Sequence, residues 1–303
     1  VRLCVLSRNP RLYSTSRLVE AARARGHEVD VVDPISCVLL LERGRQRLVS
    51  GGRSLDGYDA VIPRIGASIT DYGLAVCAAF QHLGVAVVNR AEAIARSRDK
   101  LRAIERLSAA GVGIPRTALA RDPSAIRAAV DAVGGTPVII KLPKGTQGVG
   151  VMIADSPAAV ESMLDTLWGL GQNIILQEFV AESRGRDVRA LVVGGELVGA
   201  MRRTARAGEF RSNLHRGGAG REITLDDNYR EAALAAAAVI GLDLAGVDIL
   251  ESSDGPRVIE VNSSPGLKGI ERATSLDVAG RIIAHAERLV AERAAGTDGE
   301  SIP

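Results

Sequence analysis

Gly246-Val247-Asp248-Ile249-Leu250 and Val258-Ile259-Glu260-Val261-Asn262, joined by a turn at Asp254-Gly255, decide how this chain is read. Both runs read as β-strands, and side chains alternate across a strand. Glu260 and Asn262 therefore share one face while Ile259 and Val261 share the other, and Asp248 is flanked by Val247 and Ile249 in the same way. If the two strands pair, three oxygen-bearing side chains converge on one face of an otherwise apolar sheet. Burying two carboxylates side by side is costly unless a cation compensates them. Oxygen donors without Cys or His suit Mg²⁺ or Mn²⁺, with phosphate oxygens completing the shell. From these residues alone, a half-exposed sheet with its acids in water stays open as the other reading.

Upstream lies Ile140-Lys141-Leu142-Pro143-Lys144-Gly145-Thr146-Gln147-Gly148-Val149-Gly150. Glycine permits close backbone approach, and successive N–H groups can cradle an anion, with the Lys141 ammonium on the same phosphates. The segment lacks the Gly-Lys-Ser/Thr of a Walker A loop. It leads into the strand-like Val151–Ala154 and not into a helix, which excludes a dinucleotide fingerprint. A glycine-rich hairpin over phosphates is left, with Gly145 and Gly148 as its close-approach points; the bland alternative is an ordinary turn. Gln177-Glu178-Phe179-Val180 ends an apolar strand whose backbone can pair with an adenine edge, while Phe179 or Val180 packs on the ring. An edge strand leaving its sheet is the competing reading. Asp187 can accept from ribose hydroxyls or, beside Arg184 and Arg186, be a surface charge. Arg202, Arg203, Arg206, Arg211 and Arg216 make an anion site or a solvated loop. No aromatic platform for nucleic acid accompanies them. His215 reads as a structural donor, and no Ser/His/Asp or Cys/His grouping stands out.

The 303 residues suit two domains or one with subdomains, and with 3% aromatics the core must be aliphatic. A net charge of +2 from 38 basic and 36 acidic residues excludes a strong global field for nucleic acid or anionic membrane. Cys4, Cys37 and Cys77 have no metal-ligand spacing and read as reduced, mostly buried thiols of a cytoplasmic protein. No run approaches the ~20 apolar residues of a bilayer span, and no signal peptide is evident.

Leu3–Ser7, Glu28–Val32, Asp59–Ile65 and Val85–Asn89 read as strands. Helices at Arg17–Arg25 (capped by Ser14 or Ser16) and Tyr72–Leu83 alternate with them, and Val38–Glu42 with Arg47–Ser50 form an inserted hairpin around Gly44. That rhythm predicts an α/β domain with a parallel sheet. After a hinge at Ser97-Arg98-Asp99-Lys100, closely spaced strands (Thr117–Ala120, Val138–Leu142, Val151–Ala154, Ile174–Val180, Val188–Val193, Leu197–Met201) with helices at Ser124–Val133, Pro157–Leu167 and Tyr229–Ile240 predict an α+β domain. The tail from Ala294 is expected to fray.

The order of these signals resembles the ATP-grasp superfamily: lysine with a glycine-rich hairpin, an adenine-edge strand, an arginine/asparagine segment, then Asp…Glu-x-Asn and Ser-Pro-Gly. Leu6-Ser7-Arg8, Asp33-Pro34, Ile62-Pro63-Arg64-Ile65-Gly66, Arg98-Asp99-Lys100, Gly145-Thr146-Gln147-Gly148, Phe210-Arg211-Ser212-Asn213-Leu214-His215-Arg216-Gly217-Gly218 and Ala245–Leu250 look like the bacterial ribosomal protein S6–glutamate ligases of RimK type, from the first strand to about Glu287. The resemblance implies a Rossmann-like pre-ATP-grasp domain over 1–97 and an ATP-grasp domain over 98–303, its core at about 104–287. It implies ATP phosphate contacts by Lys100, Lys141, Arg211, Ser212 and Asn213, with Arg211 and Asn213 also reaching the transferring group. Glu178, Phe179 and Val180 would frame adenine, Asp187 would meet ribose, and Asp248, Glu260 and Asn262 would hold two Mg²⁺ or Mn²⁺ ions. Arg203 and Arg216 are candidates for orienting the acceptor or the amino acid, and Arg64 for facing the same cleft. The implied reaction is ATP-dependent addition of L-glutamate to the C-terminus of ribosomal protein S6 through an acyl phosphate, by a homo-oligomer, often a tetramer, without membrane or direct nucleic-acid contact. A sibling ligase acting on a carrier protein or a small γ-glutamyl acceptor, and a non-catalytic nucleotide- or RNA-binding regulator, are the alternatives.

Overall fold

A computed structural model describes residues 1–143, 150–169, 173–206, 209, 212 and 218–297. The chain opens with β1 (Arg2–Leu6), α1 (Tyr13–Ala24) and β2 (Glu28–Val32). A small antiparallel sheet follows: β3 (Cys37–Glu42), β4 (Arg45–Ser50) and β5 (Arg53–Ser54). Then β6 (Ala60–Pro63), α2 (Thr70–His82) and β7 (Ala86–Val87) complete a four-stranded parallel sheet in the order β2-β1-β6-β7. The strand expected over Val85–Asn89 is thus shortened to two residues. The expected serine cap of α1 is also corrected. Leu12 precedes the helix with no side-chain cap, Ser16 Oγ donates to the Tyr13 carbonyl, and Ser14 Oγ accepts from the Leu267 N–H. Tertiary contact takes the hydroxyl that local capping would have used.

Two helices meet at the expected joint, α3 (Ala91–Arg98) and α4 (Lys100–Ala109). Asp99 ends the first and caps the second, its carboxylate accepting from Arg102 N–H at 3.1 Å. Next come β8 (Thr117–Leu119), α5 (Ile126–Ala132), β9 (Val138–Lys141), β10 (Val151–Ala154), α6 (Pro157–Gly169) and β11 (Ile175–Glu178). The four strands form an antiparallel sheet ordered β10-β9-β11-β8, packed on both helices through Val138, Ile140, Leu176, Val130 and Leu164. A five-stranded antiparallel sheet ordered β14-β13-β12-β15-β16 is built from β12 (Arg186–Val193), β13 (Glu196–Thr204), β14 (Ala219–Glu222), β15 (Leu244–Ser252) and β16 (Gly255–Asn262). Between β14 and β15 runs α7 (Asp227–Ile240), capped by Asp226 and stopped by Gly241 at φ +82°, a conformation that glycine adopts without strain. Strand β14 was not anticipated from the sequence.

The chain closes with α8 (Leu267–Thr274) and α9 (Val278–Thr297), neither foreseen; of the tail expected to fray, Ala294–Thr297 is helical, and 298–303 lie outside the described residues. Its apolar side chains Val278, Ala279, Ile282, Ile283 and Ala286 recur at helical spacing and cover one face of the parallel sheet, Leu3, Val5 and Ile62. The same core takes in Leu191, Val193 and Leu244 from the five-stranded sheet. Strand alternation sends Cys4, Leu6 and Val61 to the opposite face, against Val76, Phe80 and Ile94. Each such Leu or Ile contributes ~1.5–3 kcal/mol by leaving water. Cys4, Cys37 and Cys77 are free and buried, as expected. No described helix is long and apolar enough to cross a membrane.

Candidate functional site

The register of β15 on β16 sets Asp248 directly opposite Glu260 and Gly246 opposite Asn262. On the other side of β15, Arg189 of β12 pairs with Asp248, and two residue pairs further along β12 Asp187 faces Arg203 of β13. Four neighbouring strands thus bring two arginines and three carboxylates to one sheet face. Arg189 donates from Nε and Nη2 to the two oxygens of Asp248. Arg203 does the same to Asp187 and reaches Asp248 Oδ2 at 3.0 Å. Burial alone would raise Asp248, but the two guanidiniums outweigh it and hold its carboxyl below the usual range. Glu260 is different. Among the described residues no donor reaches it. Burial and the Asp248 carboxylate push its carboxyl up, against the weaker pull of Lys100, Arg189 and Lys141.

Facing this sheet across a cleft are Lys141, at the end of β9, and Lys100, at the start of α4. Lys141 Nζ donates to Gln177 Oε1 at 2.5 Å and Lys100 Nζ to the Leu142 carbonyl at 3.4 Å. Burial lowers Lys100. For Lys141, burial, opposed by Glu260 and reinforced by Lys100, brings the ammonium down to about 8. Five basic residues line the cleft, Lys100, Lys141, Arg184, Arg186 and Arg203, against four acids, Glu178, Asp187, Asp248 and Glu260, so it has a cationic excess and suits a polyphosphate. Its inner wall is apolar, with Ile104, Leu107, Ile139, Leu250 and Ile259 opposite Phe179 and Val180. Glu178 stands at the rim, accepting from Arg116 N–H and Nη2, each at 3.0 Å.

Of the residues singled out from the sequence, Lys100, Lys141, Glu178, Phe179, Val180, Asp187, Arg203, Ser212, Asp248 and Glu260 line this one cleft. Asn262 joins it at the sheet, its Nδ2 donating to the Gly246 carbonyl at 3.3 Å and Asp248 Oδ2 at 3.5 Å, which leaves its amide oxygen for another partner. Gly145, Gly148, Arg211, Asn213, Arg216 and His215 lie outside the described residues. Two expectations, for Asp187 and for Arg64, are corrected. Asp187 is no surface charge: it is 4% exposed and held by Arg203. Arg203, which lines the cleft, is bound between Asp187 and Asp248. Arg64 is not on the cleft wall; its Nη2 donates to the Pro265 carbonyl at 2.6 Å.

Arg189 and Gln177 were missed as site residues. Arg189 had a local signal, since Asp187-Val188-Arg189 alternates charge with apolar in a strand that is otherwise buried. Its pairing to Asp248 depends on a strand 59 residues away. Two carboxylates and one amide oxygen are a hard donor set that fits Mg²⁺, and Glu260, half-buried and with no donor among the described residues, is the group a cation would compensate. Among the described residues no three His, Cys, Asp or Glu side chains could hold a metal by themselves, so further ligands would have to come from a bound phosphate, water or the amide.

Comparison with known proteins places the chain in a family. Residues 97–286 match the RimK-like ATP-grasp domain and residues 1–94 the RimK PreATP-grasp domain. A protein of Thioalkalivibrio sulfidiphilus named "Probable alpha-L-glutamate ligase" is 52% identical over 288 residues, 95% of this chain and 96% of its own. One of the same name from Aliivibrio fischeri is 49% identical over 300 residues, 99% of this chain and all of its own. Among solved structures, a RimK domain ATP-grasp protein of Sphaerobacter thermophilus is 26% identical with a TM-score of 0.69, covering 94% of this chain and 99% of its own. The ATP-grasp ligase PsnB, solved with a minimal precursor, Mg and ADP, shares the fold at a TM-score of 0.73 and 24% identity, covering 97% and 98%. The chain belongs to the RimK-like ATP-grasp family and is an ATP-dependent ligase.

Proposed function

We propose that this ligase adds L-glutamate to the C-terminal carboxylate of ribosomal protein S6 through an acyl phosphate. The observation that carries the reading is the single cleft in which two lysines and an apolar slot face the Asp248–Glu260 pair, in a chain aligned nearly end to end with glutamate ligases. A carboxylate does not condense with an amine at neutral pH, because hydroxide leaves poorly. In the first step a carboxylate oxygen attacks the γ-phosphorus and ADP departs. In the second the glutamate amine attacks the acyl carbon, phosphate leaves with the C–O bond electrons, and the nitrogen gives up its proton. Lys100 and Lys141, with Arg211, Ser212 and Asn213, neutralise the phosphoryl oxygens. Gly145 and Gly148 bring backbone N–H groups onto the same phosphates. The backbone of Glu178–Val180 pairs with the adenine edge, Phe179 and Val180 flank the ring, and Asp187 accepts from the ribose. Asp248, Glu260 and Asn262 would hold two Mg²⁺ or Mn²⁺ ions, which supply charge neutralisation at the transferring phosphoryl group. The apolar walls exclude water that would hydrolyse the acyl phosphate.

The same reading divides the chain at 97/98 and has it act in the cytoplasm as a homo-oligomer; the exposed Val38, Leu40 and Leu41 of β3 support self-association. The test combines protein, ATP, Mg²⁺, glutamate and purified S6, with intact mass and ADP release as readouts. Stepwise glutamyl increments on S6 are expected. ADP release with unmodified S6 would move the assignment to a sibling ligase with another acceptor. No ATP turnover with any acceptor would remove the reading altogether.

A further inference from the structure

Beside the nucleotide cleft, Arg64 and Arg98 lie close enough to repel one another, and among the described residues neither is ion-paired to a carboxylate, Glu260 acting on Arg98 only from a distance. Arg64 follows β6, at the carboxyl edge of the parallel sheet, its backbone N–H bonded to the Leu6 carbonyl. Arg98 ends α3 and donates from Nη2 to the carbonyl of Ile65, the residue next to Arg64, at 2.6 Å. Six buried side-chain nitrogen and oxygen atoms lack a hydrogen-bond partner among the described residues, and four of them gather here: Arg64 Nη1, Arg98 Nε, Ser263 Oγ and Ser264 Oγ. The two serines directly follow Asn262, and Arg64 Nη2 ties down the carbonyls of Ser264 and Pro265. Orphaned donors are rare in a folded protein, and paired cations without an anion rarer still. Open α/β sheets bind ligands beyond the carboxyl ends of their strands, which is where Arg64 stands.

We propose that Arg64 and Arg98, with the hydroxyls of Ser263 and Ser264, form a second anion site that grips a substrate carboxylate beside the Asp248–Glu260–Asn262 hairpin. Arg64 Nη1 and Arg98 Nε can each donate a charge-assisted hydrogen bond to a carboxylate oxygen, and the two hydroxyls can donate to its remaining lone pairs. The assignment of the anion as carboxylate rests on the proposed ligation, whose other reactants are carboxylic acids. Two sources share this chemistry: the α-carboxylate of the incoming amino acid and the C-terminal carboxylate of the acceptor.

The test uses the full chain and the variants Arg64→Met, Arg64→Lys and Arg98→Met, with KM for L-glutamate and for S6 measured separately and ATP affinity measured by equilibrium binding. Arg64→Met and Arg98→Met are expected to raise one KM at least ten-fold while the ATP Kd stays within two-fold, and Arg64→Lys to recover part of the loss. A rise for glutamate identifies the amino-acid carboxylate, and a rise for S6 identifies the acceptor. Unchanged KM values in both folded Met variants, or an ATP Kd rising in parallel, would overturn the site. If the wild-type chain does not ligate glutamate to S6, the proposed function fails and the site is decided by melting in glutarate against NaCl at equal ionic strength. A glutarate-dependent rise in Tm confined to the wild type supports it, whereas equal responses in wild type and Arg64→Met, or none in either, refute it.

Discussion

Glu260 gathers the site's electrostatic cost into one carboxyl, pushed up by burial and by Asp248 across the strand pair. A raised acid is a liability of the free protein, so Glu260→Gln should lower kcat roughly 10²-fold or more while leaving Tm equal or higher. Activity assays beside calorimetry check this; a falling Tm would mean the side chain supports the fold and not the chemistry. Lys141 behaves oppositely, being a base lowered to about 8. Its ammonium is complete below that value and lost above it, so ATP affinity should weaken as pH rises through about 8. Binding near pH 8–9 should also take up a proton, visible by titration calorimetry in buffers of different ionisation heat. Lys141→Arg should flatten the profile; persistence of the pH dependence in that variant would assign it to another group. Asp248, Glu260 and Asn262 were legible because alternation in a strand is local information. Arg189 and the true partner of Arg203 were not, because which strand lies beside β12 is decided by the packing of the whole sheet.

Gly246 shows how an element protects the site. A Cβ there would lie 2.8 Å from Pro265 Cβ and 3.3 Å from Arg189 Cδ. Gly246→Ala should therefore cost about 1–3 kcal/mol in denaturant unfolding and cut turnover further than that loss explains, because the displaced groups adjoin Asp248 and Asn262. A variant with normal kinetics would show that the β16 end can give way freely. Helix α9 is clamped to α1 by Glu287, which accepts from Arg25 at 2.8 and 2.6 Å and also meets His27. The hydrogen bonds from Arg25, joined by His27, hold the Glu287 carboxyl down at about 2 from 4.5. A depressed acid stabilises above its unfolded value and loses that contribution as pH falls from 4.5 towards 2. With Arg25 43% exposed, solvent screening reduces the worth of the pair to ~1 kcal/mol. Glu287→Gln should show that deficit in unfolding at pH 7 and almost none near pH 2. Strands and their glycine turns were readable from two-residue periodicity and breakers. The two closing helices went unread, since α9 is rich in alanine and carries Gly280, a weak local signal that gains meaning only from the sheet face it covers.

At the scale of the whole molecule, one core joins Leu3, Val5 and Ile62 of the parallel sheet to Leu191 and Leu244 of the five-stranded sheet through Ile282 and Ile283 of α9. Heat unfolding should accordingly pass through one calorimetric transition; two resolved transitions would show that the halves hold themselves up separately. The parallel and antiparallel halves were predictable from the rhythm of elements, but the last helix returning to the first sheet was not, since no local pattern records a partner more than two hundred residues away. That return has a consequence for biosynthesis. The strands near the amino end are translated long before the helix that shields them, and at typical elongation speeds the roughly 190 residues between Val88 and Val278 take on the order of ten to forty seconds. During that interval the Leu3–Val5–Ile62 face is open on the nascent chain, which makes it a natural client for ribosome-bound chaperones.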